Sequence, residues 1–513
     1  MFENPLNSKK FLVIDDFGDM RNMLKGMLRT FGAGDIDGAG NGRDAITRLA
    51  AKSYDVVLCD YNLGPGKDGQ QVLEEARERR LLPVSSVFLM VTAENTREMV
   101  MGAVEYEPDT YLSKPFTKEL LKTRLDRVMA KRAALAPLEL LLRRKDYDGA
   151  QRFLDEQLAT QPRNRNELIR LKAELCYQAQ RYDLAEQICQ QVIAVRDLPW
   201  ARLLLGKIHF ERQDYEEARM TFQALIDDKY QLPAAYDWLA RAEIALSRPQ
   251  EALRVLQAGV ALSPKAIRRQ ETIGQLAYGL HDYATAEAAM DKAVKLGRHS
   301  VFDHPGLYTG LAKAKCAMNK PDEARKVLAD LEKHFEPDTM TRLYGLFGAI
   351  GVALSSDDRE GAEQQFQEAE VIFRHLPPPL SPALAMEFAK IAAALGKTAL
   401  AEEILHALVR NHHDDPELLQ QVVGAMREVG LNDNPEELVA TLKKEIVAMN
   451  NRGVALLRQK KIDQAIALFT EAAEGMPANV TINLNTARAL ILGMEIDGVQ
   501  TEQLRRVRHY IDR

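Results

Sequence analysis

The 513-residue sequence is poor in the features that would tie it to zinc, a membrane or a nucleic acid. Its four cysteines, Cys59, Cys176, Cys189 and Cys316, form no C-x-x-C pair and no Cys/His ligand spacing. A zinc site and a disulfide framework are therefore not expected, and a reducing cytoplasm is. The ten histidines make no H-E-x-x-H pattern. No apolar run is long enough to span a bilayer, and residues 1–10 are polar where a signal peptide would place its apolar core. A formal net charge of −6 leaves no basic footprint for nucleic acid. The composition, 46% hydrophobic and 28% charged, is that of a soluble folded protein. The chain is too long for one core, so several domains or a repeat array are expected.

The first 130 or so residues alternate two periodicities. Apolar runs at Phe11–Ile14, Asp55–Cys59, Val87–Val91 and Tyr111–Leu112 read as buried strands. Between and after them, Asp19–Phe31, Asp44–Ala51, Gly69–Arg80, Thr96–Glu105 and Thr117–Ala136 have helical spacing. Strands alternating with helices predict a doubly wound parallel sheet covered on both faces.

Polar groups stand at the ends of these strands: Asp15-Asp16, Asp60, Thr92 and Lys114. In such a sheet the carboxyl ends of the strands share one edge, where ligands bind. Three carboxylates there repel one another unless a cation neutralises them. Hard oxygen donors in small number suit Mg²⁺, which keeps several waters and bridges to phosphate. Lys114 adds a positive charge and Thr92 a hydroxyl. The set is suited to stabilising a phosphoryl group on a carboxylate, with Asp60 as acceptor.

These residues, taken in order with Tyr111 and Lys114-Pro115-Phe116, resemble a response-regulator receiver domain of bacterial two-component signalling. The spacings, 44 from Asp16 to Asp60 and 22 from Thr92 to Lys114, agree with those of chemotaxis receivers. The resemblance implies a five-stranded flavodoxin-like fold. It implies that Asp60 takes a phosphoryl group from a histidine kinase or phosphotransfer protein. Asp15, Asp16, Asp60 and the carbonyl of Asn62 would arrange Mg²⁺, Asp15 through water. Thr92 would bond the new phosphate, Tyr111 would follow it inward as a switch, and Lys114 would pair with a phosphate oxygen next to a cis Lys114–Pro115 bond. Asn62 and Glu94 would tune hydrolysis. The loop Gly64–Gly69 is one residue longer than usual in that family. The face formed by 96–105, 111–112 and 117–136 is the natural readout surface.

Beyond residue 130 strand signals vanish and a repeat emerges. Segments such as Gln180-Arg181-Tyr182-Asp183-Leu184-Ala185 and Gln213-Asp214-Tyr215-Glu216-Glu217-Ala218 recur. Their alanines, Ala150, Ala185, Ala218, Ala252 and Ala286, are 35, 33, 34 and 34 apart. Looser copies end at Ala324, Ala362, Ala401 and Ala465, and a large residue such as Phe222, Phe366 or Phe469 often follows four positions later. A small residue facing a bulky one lets two antiparallel helices touch, and stacked pairs form a superhelix. The pattern resembles a tetratricopeptide array of about nine units. Room for an irregular helical pair remains near Asp415–Asn450, and Asn479–Arg513 reads as closing helices. Glu174, Tyr177, Lys207, Arg241 and Gln275 are candidate concave residues for protein binding.

The expected organisation is a receiver at 1–130, a regular tetratricopeptide array at 131–330, and irregular repeats with capping helices at 331–513. No Gly/Ser-rich spacer divides the halves, so the helix from Thr117 is expected to run almost directly into the first repeat. No helix-turn-helix or cyclase-like output region is visible. The expected function is a cytoplasmic response regulator whose output is protein binding, with a homodimer left open. Catalysis would be limited to self-catalysed phosphotransfer and autodephosphorylation. The alternatives are a phosphorylation-independent scaffold with a docking receiver, and a phosphatase using the same acidic cluster.

Overall fold

The computed structural model describes residues 6–83, 85–93, 106, 108–133, 135–160, 162, 164–431 and 433–513. The expected helix at 96–105 and Glu94 lie outside them. The chain divides into two compact units, Met1–Ala314 and Lys315–Arg513. Among the described residues no helix is long and apolar enough to cross a membrane.

The first unit opens with a five-stranded, wholly parallel sheet in the order β2-β1-β3-β4-β5. Its strands are β1 (Lys10–Ile14), β2 (Asp35–Ala39), β3 (Val56–Asp60), β4 (Val87–Thr92) and β5 (Thr110–Ser113). The described helices are α1 (Gly18–Thr30), α2 (Gly42–Ala51), α3 (Gly69–Glu78) and α4 (Lys118–Ala133). Strands β3 and β4 are buried along their whole length, as their unbroken apolar sequences require of strands covered on both faces. Alternate residues feed two cores. Phe11, Val13, Val56, Leu58 and Leu89 pack with Leu24 and Leu28 of α1 and Leu121 and Leu125 of α4. Leu12, Ile14, Val57, Phe88 and Met90 pack with Leu49 of α2 and with Val72, Leu73 and Ala76 of α3.

Strand β2 carries no apolar run, and sequence reading passes over it. Its sequence DIDGA is half polar because two of its carboxylates serve a local cluster. Lys52 donates to Asp35 at 2.7 Å and to Asp37 at 2.8 Å, and the Tyr54 hydroxyl donates to Asp37 at 2.8 Å.

Helix α4 gives way after two residues to the helix Ala136–Arg143, whose first turn holds Pro137 where a missing N–H costs nothing. Everything beyond is helical hairpins. Among the described residues, nine turns within the repeat units carry a residue in the left-handed region two positions before the second helix: Lys145, Gln180, Gln213, Ser247, His281, Asn319, Asp357, Gly396 and Lys460. The following amide closes back on the first helix, as in Arg181 N to Cys176 O at 2.8 Å and Asp214 N to His209 O at 2.9 Å, which satisfies end carbonyls. All nine repeat alanines are fully buried.

The closest helix contacts use glycine on the first helix of a pair. A Cβ on Gly206 would lie 2.5 Å from the Phe222 ring, and one on Gly453 would lie 2.3 Å from the Phe469 ring. In these two repeats the large residue four places after the repeat alanine fills a notch left by a missing side chain.

The second unit explains the loosened spacing. Helices Thr339–Ser355 and Arg359–His375 are 17 residues each, where the two pairs between Pro199 and Leu262 use 13 or 14. Their extra turn carries Phe373, which stacks on Phe388 at 4.2 Å beside Phe366 at 5.2 Å. The expected irregular pair is a short helix, Pro416–Glu428, followed by one of 24 residues, Pro435–Arg458. The second member does not stop near Asn450. It runs on as the first helix of the last repeat, because nothing between Asn450 and Gly453 interrupts its hydrogen bonding. Two closing helices follow, Val480–Asp497 and Thr501–Asp512.

Gly453→Ala is expected to cost about 1–3 kcal/mol by overpacking against Phe469. Gly475→Ala, where an added Cβ meets nothing within 4 Å, should be neutral or stabilising by up to about 1 kcal/mol. Urea unfolding of the two variants checks the pair. Equal effects would mean that the notch does not limit packing.

Candidate functional site

The site is assembled by the ends of β1, β3, β4 and β5. Parallel pairing sets Ile14 beside Cys59, Asp60 beside Val91, and Thr92 beside Ser113, so the residues that follow collect on one edge. Asp15, Asp16 and Asp60 each bring a carboxylate oxygen to within 4.8 Å of the other two. Lys114 Nζ donates to Asp60 Oδ2 at 2.9 Å and to Asp15 Oδ2 at 3.1 Å. Asp15 is wholly buried, Asp60 is 7% exposed and Thr92 is 4% exposed.

Backbone groups fix these side chains. Asp60 Oδ1 accepts from the Tyr61 amide at 3.0 Å, and Asp15 Oδ1 accepts from the Phe17 amide at 2.9 Å. Arg21, which sequence reading does not single out, donates to the Asp15 carbonyl at 2.5 Å from helix α1. Gly69 is forced by close approach, since a Cβ there would lie 2.1 Å from the Asp60 carbonyl oxygen. Its amide donates to the Tyr61 carbonyl at 2.8 Å. Helix α3 then starts from a capping box in which Asp68 and Gln71 serve each other's amides at 2.8 and 3.0 Å. Loop 61–69 is thus pinned at both ends to the acidic pocket.

The electrostatics are those of a crowded pocket with too few cations. Burial pushes the Asp60 carboxyl above the ordinary carboxylate range, with Lys114 opposing and Asp15 adding to the rise. Burial also works against the Lys114 charge, yet the bond to Asp60 and the charges of Asp60 and Asp15 hold its pKa above that of a free lysine. Both members of one ion pair therefore shift upward: the carboxylates keep the ammonium charged, while a single ammonium does not offset the cost of burying the acids. Asp16 Oδ1 is buried with no hydrogen-bond partner. An orphaned carboxylate oxygen beside two more acidic groups fits a hard divalent cation, which takes carboxylate and carbonyl oxygens. Cys59 sits beside Asp60, but its thiol is fully buried and burial drives its pKa well up, which leaves it a core residue.

The other expected residues fall as follows. Thr92 stands at the end of β4, where its carbonyl accepts from the Lys114 amide at 2.7 Å. Tyr111 lies on β5, packed against the core face shared with α2 and α3, its hydroxyl oxygen shielded from solvent. The peptide Lys114–Pro115 is cis. Asn62 turns its side chain onto its own loop, accepting from the Gly64 amide at 3.2 Å. The candidate concave residues are engaged by neighbouring side chains: Glu174 holds Arg170 at 2.8 Å, Tyr177 donates to Glu211 at 2.9 Å, Gln275 donates to Glu271 at 3.2 Å, and Arg241 stacks 4.0 Å from the Trp238 ring. Lys207 lies 5.2 Å from the same ring, and burial lowers its pKa.

Comparison with known proteins agrees with this geometry. A response regulator receiver domain model matches residues 11–126, and a tetratricopeptide repeat model matches residues 201–267. The chemotaxis protein CheY-3 of Vibrio cholerae is 37% identical over 122 residues, which are 23% of this chain and 90% of that protein. The chemotaxis protein CheY of Pseudomonas aeruginosa is 35% identical over 122 residues, 94% of its length. Among solved structures, Vibrio cholerae CheY4 matches 23% of this chain and 98% of its own at 28% identity, with a TM-score of 0.22. The protein belongs to the response-regulator receiver family, with tetratricopeptide repeats following its receiver domain.

Mg²⁺ is expected to raise the melting temperature of the wild-type protein, because it neutralises acidic groups that the folded state forces together. At a hundredfold excess over its Kd the gain is about 2.7 kcal/mol. Asp16→Asn should fold but lose most of that gain. A thermal-shift series in Mg²⁺ checks this, and an equal response in the variant would remove Asp16 from the ion's ligands.

Proposed function

We propose that the protein is a two-component response regulator that takes a phosphoryl group on Asp60 and passes the signal through its repeats to a protein partner. The observation that carries this reading is the single ammonium of Lys114 shared by Asp60 and Asp15, beside the unsatisfied oxygen of Asp16. That arrangement supplies a carboxylate nucleophile, a cation for the oxygens of an incoming phosphoryl group, and a further carboxylate oxygen suited to a divalent cation.

The transfer is a displacement at phosphorus. An oxygen of Asp60 forms the new O–P bond while the N–P bond of a phosphohistidine breaks, and the leaving imidazole takes up a proton. Lys114 exchanges its bond with Asp60 for one with a phosphoryl oxygen, and Thr92 offers a hydroxyl to another. Asp15, Asp16, Asp60 and the carbonyl of Asn62 would hold Mg²⁺, which when bound spreads the negative charge of the transferring group. Asn62 and Glu94, two positions beyond Asp60 and Thr92 in the sequence, set the rate of hydrolysis, and Tyr111 reports the state of Thr92 to the surface. The donor is a histidine kinase or phosphotransfer protein in the cytoplasm. Beyond this self-catalysed transfer and the loss of its own phosphate the protein is not an enzyme. The receiver occupies 1–130, regular repeats 131–330 and irregular repeats 331–513.

Incubation with acetyl phosphate or phosphoramidate and Mg²⁺ tests the reading. Wild-type protein should gain one acid-labile phosphoryl group by intact mass, and Asp60→Asn should gain none. Lys114→Ala should slow labelling by about a hundredfold, the scale of losing one charge-stabilising group. Partner capture should differ between the labelled and unlabelled forms. Absence of any label under these donors, with unaltered capture, would leave a scaffold whose receiver only docks.

A further inference from the structure

Within the first unit the repeats return to the receiver. Helix α3 and the loop before it meet the turn at Lys265–Arg269 and the loop at 298–302. Lys67 donates through Nζ to the His299 carbonyl, and Gln71 Nε2 donates to the Arg298 carbonyl at 3.3 Å. Arg268 pairs with Glu78 at 2.7 Å. Lys265 Nζ lies 3.3 Å from the Tyr61 hydroxyl and 5.8 Å from the centre of its ring. The Arg268 guanidinium also stacks 4.2 Å from the Phe302 ring, which lies 6.4 Å from that of Tyr106.

Opposite charges meet at two points of this contact: Arg268 of the repeats pairs with Glu78 of the receiver, and Lys265 stands near Asp68 and the Tyr61 hydroxyl. Lys67 of the receiver meets backbone carbonyl instead of a side-chain charge. Burial raises the Asp68 carboxyl, and the Lys265 charge is among the effects that pull it back. The receiver groups involved are also the ones joined to the acceptor. Tyr61 gives its amide to Asp60 Oδ1, and its carbonyl receives the Gly69 amide. Any displacement of loop 61–71 is therefore felt at Asp60.

We infer that the ledge formed by Lys265, Arg268 and the 298–302 loop is an internal docking surface for the acceptor loop, and that docking restrains phosphoryl entry to Asp60. The inference rests on the reading of Asp60 as acceptor and adds a regulator to it, the chain's own repeats. The contact is suited to reversible opening. It is built from a few polar bonds, a partly exposed ion pair and stacking of Arg268 on Phe302, each weak singly. Loading of Asp60 and release of the ledge draw on the same loop, so each biases the other by the same factor.

The test uses the full chain. In the double variant Lys265→Glu, Arg268→Glu, amide exchange over 61–71 should quicken without any phosphodonor, and the initial rate of labelling by acetyl phosphate with Mg²⁺ should rise several-fold. Pairing Arg268→Glu with Glu78→Arg should return both readouts toward wild type. Unchanged exchange in the double variant overturns the docking surface. Faster exchange with an unchanged labelling rate overturns the restraint. Absence of label in every protein brings down the acceptor reading and the restraint together, and the exchange result then decides the docking alone.

Discussion

One ammonium among three carboxylates is the constraint on which the receiver half depends. The parallel sheet places the ends of β1 and β3 side by side, so Asp15, Asp16 and Asp60 cannot avoid one another. Lys114 answers two of them and leaves an oxygen of the third without a partner. Such a pocket is expensive at rest, because buried acidic groups lose hydration that a single cation does not replace. A protein built only for stability would fill this edge with apolar side chains. The clustered carboxylates offer hard oxygen donors of the kind that suit a divalent cation.

The repeat half solves a different problem with a different economy of residues. Its hairpins need two things at fixed places, a left-handed residue at the turn and a notch for a large side chain. Eight of the nine turns put a residue other than glycine in the left-handed region, as Gln180, Gln213 and His281 do. That conformation costs roughly 1–2 kcal/mol for a residue with a Cβ, so the capping bonds and the packing of the paired helices must exceed it. The result is a stiff unit repeated, in which local strain is offset by contacts with the next helix.

The sequence was most legible where one physical requirement dictates one residue type. Strand-end carboxylates and the 34-residue spacing of buried alanines are of that kind, and both stand where they are expected. It was least legible where requirements compete. Strand β2 is half polar because Asp35 and Asp37 serve Lys52 and Tyr54, which erases the apolar run that marks the other strands. The 24-residue helix Pro435–Arg458 erases the boundary between two units, since no glycine or proline breaks it where the irregular pair should close. The orphaned oxygen of Asp16 and the support of Asp15 by Arg21 depend on angles and packing that spacing alone does not carry.

The contact between the receiver and the repeats lay furthest beyond the reach of sequence. It joins Lys67 to His299 and Glu78 to Arg268, groups 232 and 190 residues apart, and none of them belongs to a motif. Its meaning comes from where it touches. A pair of domains joined only by helix α4 and its continuation would share one hinge, and a change at Asp60 would reach the repeats only through the far side of the sheet. A second attachment at loop 61–71 closes a ring: the acceptor, its loop, the repeats and the connecting helix. In a closed ring a small change in loop geometry cannot relax locally, because both ends are held. It must appear either as strain or as opening of the weakest link, and the weakest link is the polar ledge. A tenfold shift between docked and open forms takes only about 1.4 kcal/mol, which is within what one rearranged charged hydrogen bond supplies.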